Sequence, residues 1–285
     1  MVMAKKQVEK RLGQFWTPPA IADFMFELVG FDPLWKVIDP ACGEGIFLLK
    51  AVERGCGAIS GVDIDPNAIE RAKALLGKHL SKVRLYCQDG LEPIKDENAF
   101  WRGDYDLVIG NPPFAATGYR VREPKILRQF ELAKVTISEE TMRAGEQGKL
   151  FELTFERKRQ KPSQAIEVLF LERFLKLCKQ GGKVCVILPE GIFANSSLSH
   201  VRKWLTENFT VRAVIGLPRE TFKTAGTTAK TAILYVEKRP PDKDEKTFLA
   251  EVPFVQTQDN APLDKKHNPA LVAVLRAYRR FVGSD

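Results

Sequence analysis

The sequence is poor in metal-ligating side chains, and those it has fall in no metal-binding pattern. Its three histidines, His79, His200 and His267, lie far apart, with no H-x-x-H or H-E-x-x-H among them, which removes the usual zinc spacings. The five cysteines, Cys42, Cys56, Cys87, Cys178 and Cys185, are odd in number and form no C-x-x-C pair. A disulfide framework or zinc ribbon is therefore not expected; reduced, buried thiols are. No metal is expected. No apolar run approaches the roughly 20 residues that span a bilayer. The opening Met1-Val2-Met3-Ala4-Lys5-Lys6 lacks the apolar centre of a signal peptide. A cytoplasmic protein with no membrane partner is the expectation.

What is present is enough apolar material for a large core, 44% hydrophobic residues in a chain of 285, and an excess of positive charge. The net charge is +8 and the pI about 9.2, which favours polyanionic partners through counterion release without identifying one. The excess is uneven. Residues 115–162 hold eleven Lys/Arg against seven Glu, a net +4. Arg157, Lys158, Arg159 and Lys161 are the candidate phosphate contacts within that stretch.

From about residue 35, short β-branched apolar runs alternate with helical patterns, the signature of a parallel sheet covered by helices. Strands are expected at 36–38, 58–62, 83–87, 105–109, 183–188, 211–216 and 231–236, a sheet of seven. Only a loop joins the last two, so that pair is expected to be antiparallel. Helix caps are expected at Thr17 (followed by Pro18), Asp65 (followed by Pro66), Ser163, and Asn195 or Ser196, with Gly181-Gly182 closing the helix that Ser163 opens. Residues 115–162 are too long for a structureless connection, and helices of their own or a mobile element are expected there. Residues 238–285 contain a further candidate strand at 248–252 and a helix at 269–281. The division expected is one catalytic domain: an N-terminal helix (1–34), a sheet core (35–237) and a C-terminal extension (238–285).

The candidate chemistry sits at strand ends. The apolar run 105–110 leads into Asn111-Pro112-Pro113-Phe114, which offers an amide oxygen, proline-held carbonyls and an aromatic face to a planar, amine-bearing ring. An exocyclic amine is a poor nucleophile because its lone pair is delocalised. Acceptors that hold its N–H bonds draw nitrogen toward sp3 geometry. Upstream, Asp39-Pro40-Ala41-Cys42-Gly43-Glu44-Gly45 follows the first strand. It is neither a G-x-G-x-x-G fingerprint nor a phosphate-binding loop, and an acid there suits an amino group better than a pyrophosphate. Asp63, with Ile64 beside it, ends the second strand where an acid takes ribose hydroxyls. Asp89-Gly90 follows the third, with Asp89 placed to accept from an adenine amine.

These motifs, in this order, resemble those of S-adenosylmethionine-dependent DNA adenine-N6 methyltransferases of the gamma group, and the chain is similar to modification subunits of type I restriction systems. The resemblance covers most of the chain and implies a Rossmann-like α/β fold of mostly parallel strands with helices on both faces. Gly13-Gln14-Phe15-Trp16-Thr17-Pro18-Pro19 matches the N-terminal cofactor motif, so Phe15 and Thr17 are implied to contact the methionine end of S-adenosylmethionine. By the same match Asp39, Pro40, Ala41, Cys42, Gly43 and Gly45 form the Gly-rich cofactor turn, Asp63 and Ile64 the ribose site, and Asp89 and Gly90 the adenine site. Asn111 to Phe114 are then catalytic, with Asn111 also against the cofactor, Phe114 stacking on the base, and Phe222 a second aromatic wall. Double-stranded DNA is the implied substrate. No target-recognition domain is seen in the sequence, so a specificity subunit or a further domain is an expected partner. Protein glutamine-N5, RNA amine and cytosine-N4 methyltransferases use related tetrapeptides, and an inactive assembly subunit would keep the cofactor motifs. These readings stay open on the sequence.

Overall fold

Val37 and Ile38 are adjacent on the first strand and enter different cores, Val37 that beneath one helical layer and Ile38 that beneath the other. Period-two alternation on a strand buried on both faces requires this division. The computed structural model describes residues 16–92, 102–114, 119–144, 150–222, 229–256 and 261–283. Its centre is an eight-stranded sheet in the order β12-β10-β11-β9-β4-β1-β2-β3. The strands are β1 (Lys36–Asp39), β2 (Ala58–Asp63), β3 (Val83–Cys87), β4 (Tyr105–Gly110), β9 (Cys178–Pro189), β10 (Thr210–Leu217), β11 (Thr231–Glu237) and β12 (Phe248–Glu251). All neighbours are parallel except β11, which runs antiparallel to both β9 and β10. The expected seven strands are joined by β12, from the candidate at 248–252.

Helices Pro19–Leu28 and Ile46–Glu53 cover one face, with Pro269–Phe281 and part of Pro66–Leu76. Helices Ile166–Leu177 and Ser199–Asn208 cover the other. The order reverses at β1, since β2 and β3 lie to one side of it and β4 to the other. That reversal opens a crevice at the strand carboxyl ends where ligands bind in folds of this type. Among the described residues, no helix is long and apolar enough to cross a membrane.

Several local expectations differ from the structure. Asp65 does cap its helix, accepting from Asn67 N. The first helix is capped one residue later than expected, at Pro18, because Thr17 directs its hydroxyl elsewhere. Ser163 is not a cap: Gln164–Ala165 form the short strand β8 against β5 (Arg120–Val121), Ala165 holds the cap position, and Ser163 accepts from Arg120. Gly181, at φ 72°, lies in an irregularity where β9 departs from β4, after the helix has already ended at Leu177. Cys87 is exposed at the end of β3, while the other four thiols are free and buried.

The largest departure is residues 115–162. Besides the short strand β5 and the four-residue helix Pro124–Leu127, the described part is dominated by an antiparallel ribbon of β6 (Lys134–Ala144) and β7 (Leu150–Gln160). The helices expected there reduce to that single turn. The sequence signal is the alternation of Phe151, Leu153 and Phe155 with Glu152, Thr154 and Glu156, a period of two. The base of the ribbon is fixed by Glu172, 1% exposed on helix Ile166–Leu177. Its carboxylate accepts from Glu131 N and Leu132 N, each at 2.8 Å, and pairs with Lys176 at 2.8 Å. Glu172→Ala would leave two buried donors unpaired and is expected to cost about 3 kcal/mol in urea unfolding. A loss below about 0.5 kcal/mol, the usual size for an innocuous surface change, would refute the anchoring role.

Candidate functional site

Four consecutive strands of the sheet, β3, β2, β1 and β4, end side by side, and the loops that leave them are stitched together by backbone groups. Cys42 N donates to Val62 O at 2.8 Å, Gln88 N to Asp63 O at 2.9 Å, and Gly43 N to Asp63 Oδ2 at 2.8 Å. Asp63 Oδ1 also accepts from Asp65 N at 2.9 Å, so this carboxylate fixes the Gly-rich turn and the start of the next helix together. Gly45 opens helix Ile46–Glu53 at φ 87°, a conformation that side chains oppose.

Two glycines permit close approach between strand ends. A Cβ on Gly110 would lie 2.4 Å from Asp39 Oδ1, and one on Gly90 would lie 2.2 Å from Pro40 O. The β4 end is thereby pressed against the β1 carboxylate, and the Asp89-Gly90 loop against the Gly-rich turn. Asp39 is 1% exposed and accepts from Ala41 N at 3.0 Å. Burial pushes its carboxyl well above the usual range, the Ala41 N–H opposes this, and the nearby Asp63 adds to the rise. Asp63 and Asp89 are also raised, again mainly by burial. Burial likewise raises the Cys42 thiol, which makes it an unreactive lining group. Ile64 stands 55% exposed beside Asp63.

Asn111 leaves β4 with its side chain fixed at one end. Its Nδ2 donates to Thr17 Oγ1 at 3.1 Å, a contact across 94 positions of sequence, while its Oδ1 is buried with no hydrogen-bond partner among the described residues. Pro112 is buried, Pro113 half-buried and Phe114 buried. Thus the structure brings Thr17, Asp39, Pro40, Ala41, Cys42, Gly43, Gly45, Asp63, Ile64, Asp89, Gly90 and Asn111 to one edge of the sheet. Phe15 lies outside the described residues. Phe222 is fully buried within the core that includes helix Pro19–Leu28. Arg157, Lys158 and Arg159 lie on the ribbon, where successive side chains face opposite ways. Lys158 pairs with Glu131 at 2.9 Å, and Arg157 and Arg159 are exposed.

Two residues were missed from sequence. Gln88 Oε1 is a second buried oxygen without a partner, and its position before Asp89 was the only available signal. Arg173 donates to Leu91 O, Glu92 O and Gln129 Oε1, holding the loop after Asp89-Gly90. Nothing in an apolar helical run marks a lone arginine for that task.

The crevice at the β1/β4 reversal suits a nucleoside cofactor with a cationic end: it has three buried or half-buried carboxylates, glycine-permitted close approach and an unpartnered acceptor. Sheet order and site together define the Rossmann-like methyltransferase fold. The chain belongs to the N-6 DNA Methylase family, whose model matches residues 1–280. It is 24% identical over 261 residues to the type II restriction enzyme and methyltransferase RM.BcgI of Heyndrickxia coagulans, covering 90% of this chain and 35% of that protein. It is 25% identical over 246 residues to the type I restriction enzyme EcoEI methylase subunit of Escherichia coli, covering 81% of this chain and 44% of the subunit. A solved chain of a type I R-M system superposes with a TM-score of 0.68 at 23% identity, over 95% of this chain and 52% of that one. The chain spans less than half the length of either curated relative.

The raised carboxyls make a stability prediction. A raised folded-state value means that the contribution to stability is full below the unfolded value, about 4, and is lost as pH rises through the folded value. Asp39→Asn removes this loss. It is expected to raise the urea midpoint of the ligand-free protein at pH 8, with little gain near pH 4. An equal effect at both pH values would contradict the burial argument.

Proposed function

We propose that this chain is the catalytic part of a site-specific DNA methyltransferase that transfers the methyl group of S-adenosylmethionine to N6 of a flipped-out adenine within a restriction-modification system. The observation that carries this reading is the Asn111 amide, anchored through Nδ2 and with an Oδ1 that is buried and unpartnered among the described residues, one position after the glycine that closes on Asp39. Family membership supports DNA as the substrate class. The relative named as a methylase subunit of a type I restriction enzyme supports partner subunits, among which one that supplies sequence specificity is proposed.

When bound, S-adenosylmethionine supplies an electrophilic methyl on a sulfonium. The chain's own groups bind and orient. Asp39 and Thr17 would hold the methionine end, Asp63 would accept from the ribose hydroxyls with Ile64 beside it, and Asp89 would accept from the adenine amine. An adenine inside a duplex is out of reach, so the base must be extruded at a cost of a few kcal/mol. Its exocyclic N–H then donates to Asn111 Oδ1 and, in this proposal, to the Pro112 carbonyl. Held this way, the nitrogen would present its lone pair to that methyl; the new N–C bond would replace the S–C bond, the sulfonium would leave as a neutral thioether, and one N–H proton would pass to solvent. Placement and preorganised acceptors supply the rate enhancement, with no general base required. Phe114 and Phe222 are the proposed stacking walls. Both are buried, at 1% and 0% exposure, so base entry has to open their faces. Arg157, Lys158, Arg159 and Lys161 are proposed phosphate contacts.

Asn111→Ala is expected to lower methyl transfer to DNA by at least about 100-fold, the usual loss for a preorganised polar group at the reacting centre. Cofactor affinity should remain within a few-fold. Transfer of radiolabelled methyl at the normal rate by this variant would overturn the assignment.

A further inference from the structure

We propose that Arg120, Lys161 and His200 form a cationic seat for one backbone phosphate of the DNA strand, at the rim of the catalytic crevice. The proposal rests on the DNA-substrate reading above and adds a site to it.

Topology brings the three together. β5 begins at Arg120, nine positions after Asn111, and pairs with β8, so this segment is zipped to the residues just before helix Ile166–Leu177. That helix leads into β9, which is parallel to β4; the helix therefore starts at the sheet edge where both strands end. His200 is the second residue of helix Ser199–Asn208, which follows β9 from the same edge. Lys161 comes from the end of the ribbon.

The contacts are unusual for cations. Lys161 Nζ donates to His200 Nε2 at 3.1 Å and to Leu132 O at 3.1 Å. With Lys161 as donor, His200 is neutral and its Nδ1–H donates to Ser197 O, 3.1 Å away. Arg120 donates to Ser163 Oγ at 2.9 Å and to Ser163 O at 3.1 Å. Among the described residues, no carboxylate lies within ion-pair distance of any of the three, although neighbouring cations are paired: Lys134 and Lys158 with Glu131, and Lys176 with Glu172. Burial and then Arg120 lower the Lys161 ammonium, and burial and then Lys161 lower the His200 imidazolium. Arg120 and Lys161 thus repel each other, and Lys161 together with the N-terminal end of helix Ser199–Asn208 disfavours a charge on His200. A single tetrahedral anion relieves that repulsion, accepts from guanidinium and ammonium together, and favours a protonated His200. At the rim of a crevice that takes a base from a polynucleotide, the anion is the phosphodiester of a neighbouring nucleotide.

The test uses the full chain and a fluorescent duplex, with affinity measured by anisotropy across a range of salt. Lys161→Gln and Arg120→Gln are each expected to weaken binding roughly five- to tenfold near 0.1 M salt and to reduce the slope of log K against log salt by about 1. Lys161→Arg should retain both. Cofactor affinity measured by calorimetry should be unchanged in all three, which separates loss of the seat from loss of the fold. Unchanged affinity and slope in the Gln variants would overturn the seat and leave the DNA reading intact. So would displacement of the His200 ring resonances by inorganic phosphate in variants whose DNA slope is unaltered, since that marks a free-anion site. Wild-type chain that, together with any specificity partner it needs, binds cofactor but no DNA at any salt would overturn the DNA reading, and the seat with it.

Discussion

The side-chain amide of Asn111 is held from one end, its nitrogen spent on Thr17 and its oxygen buried without a donor. A buried carbonyl left unpaired costs about 1–3 kcal/mol, and the surrounding structure is what keeps it there. β4 is buried almost throughout, so its end cannot move outward. Gly110 lets it close on Asp39. The threonine arrives on a separate segment, immediately before a helix whose apolar face is sunk in the core. Each of these features limits where the amide can go, and together they hold it at the carboxyl end of β4, beside the β1/β4 reversal.

The same crevice stores charge at a cost. Asp39 and Asp63 are 1% and 5% exposed and sit close enough for Asp63 to disfavour ionisation of Asp39, an arrangement that a folded protein without a ligand would be more stable lacking. Backbone N–H groups from Ala41, Gly43 and Asp65 offset part of the desolvation. A cationic, hydroxyl-bearing ligand would offset more. Functional sites commonly hold such locally unfavourable groups in a framework stabilised elsewhere. Here the framework is a sheet buried on both faces.

How much of this was legible in the sequence depended on whether the signal was local. Strand positions in the core were, because short apolar stretches such as Thr231–Glu237 stand out between helical patterns, and the antiparallel last pair followed from a connection that carries no helical pattern. The strand-end acids were legible because each directly follows its strand. The Asn111–Thr17 bond was not, since it joins positions 94 apart and only the packed fold brings them together. Thr17 was read as a cap for the local reason that threonine precedes proline, and a tertiary partner took its hydroxyl instead. The ribbon was obscured by composition: its charge drew attention, and the alternation of Phe151, Leu153 and Phe155 went unread. Arg120, Lys161 and His200 meet only through β5–β8 pairing and helix placement, which no spacing in the chain announces.

The central claim, that Asn111 and its neighbours direct a methyl group onto the exocyclic amine of adenine in DNA, is tested most directly by identifying the product. Duplex DNA incubated with the chain, together with any specificity partner it needs, and with S-adenosylmethionine deuterated at the methyl group can be digested to nucleosides for mass spectrometry. The account predicts label in N6-methyladenine and none in N4-methylcytosine. Label in cytosine, or label found only when RNA or protein replaces the DNA, would contradict it.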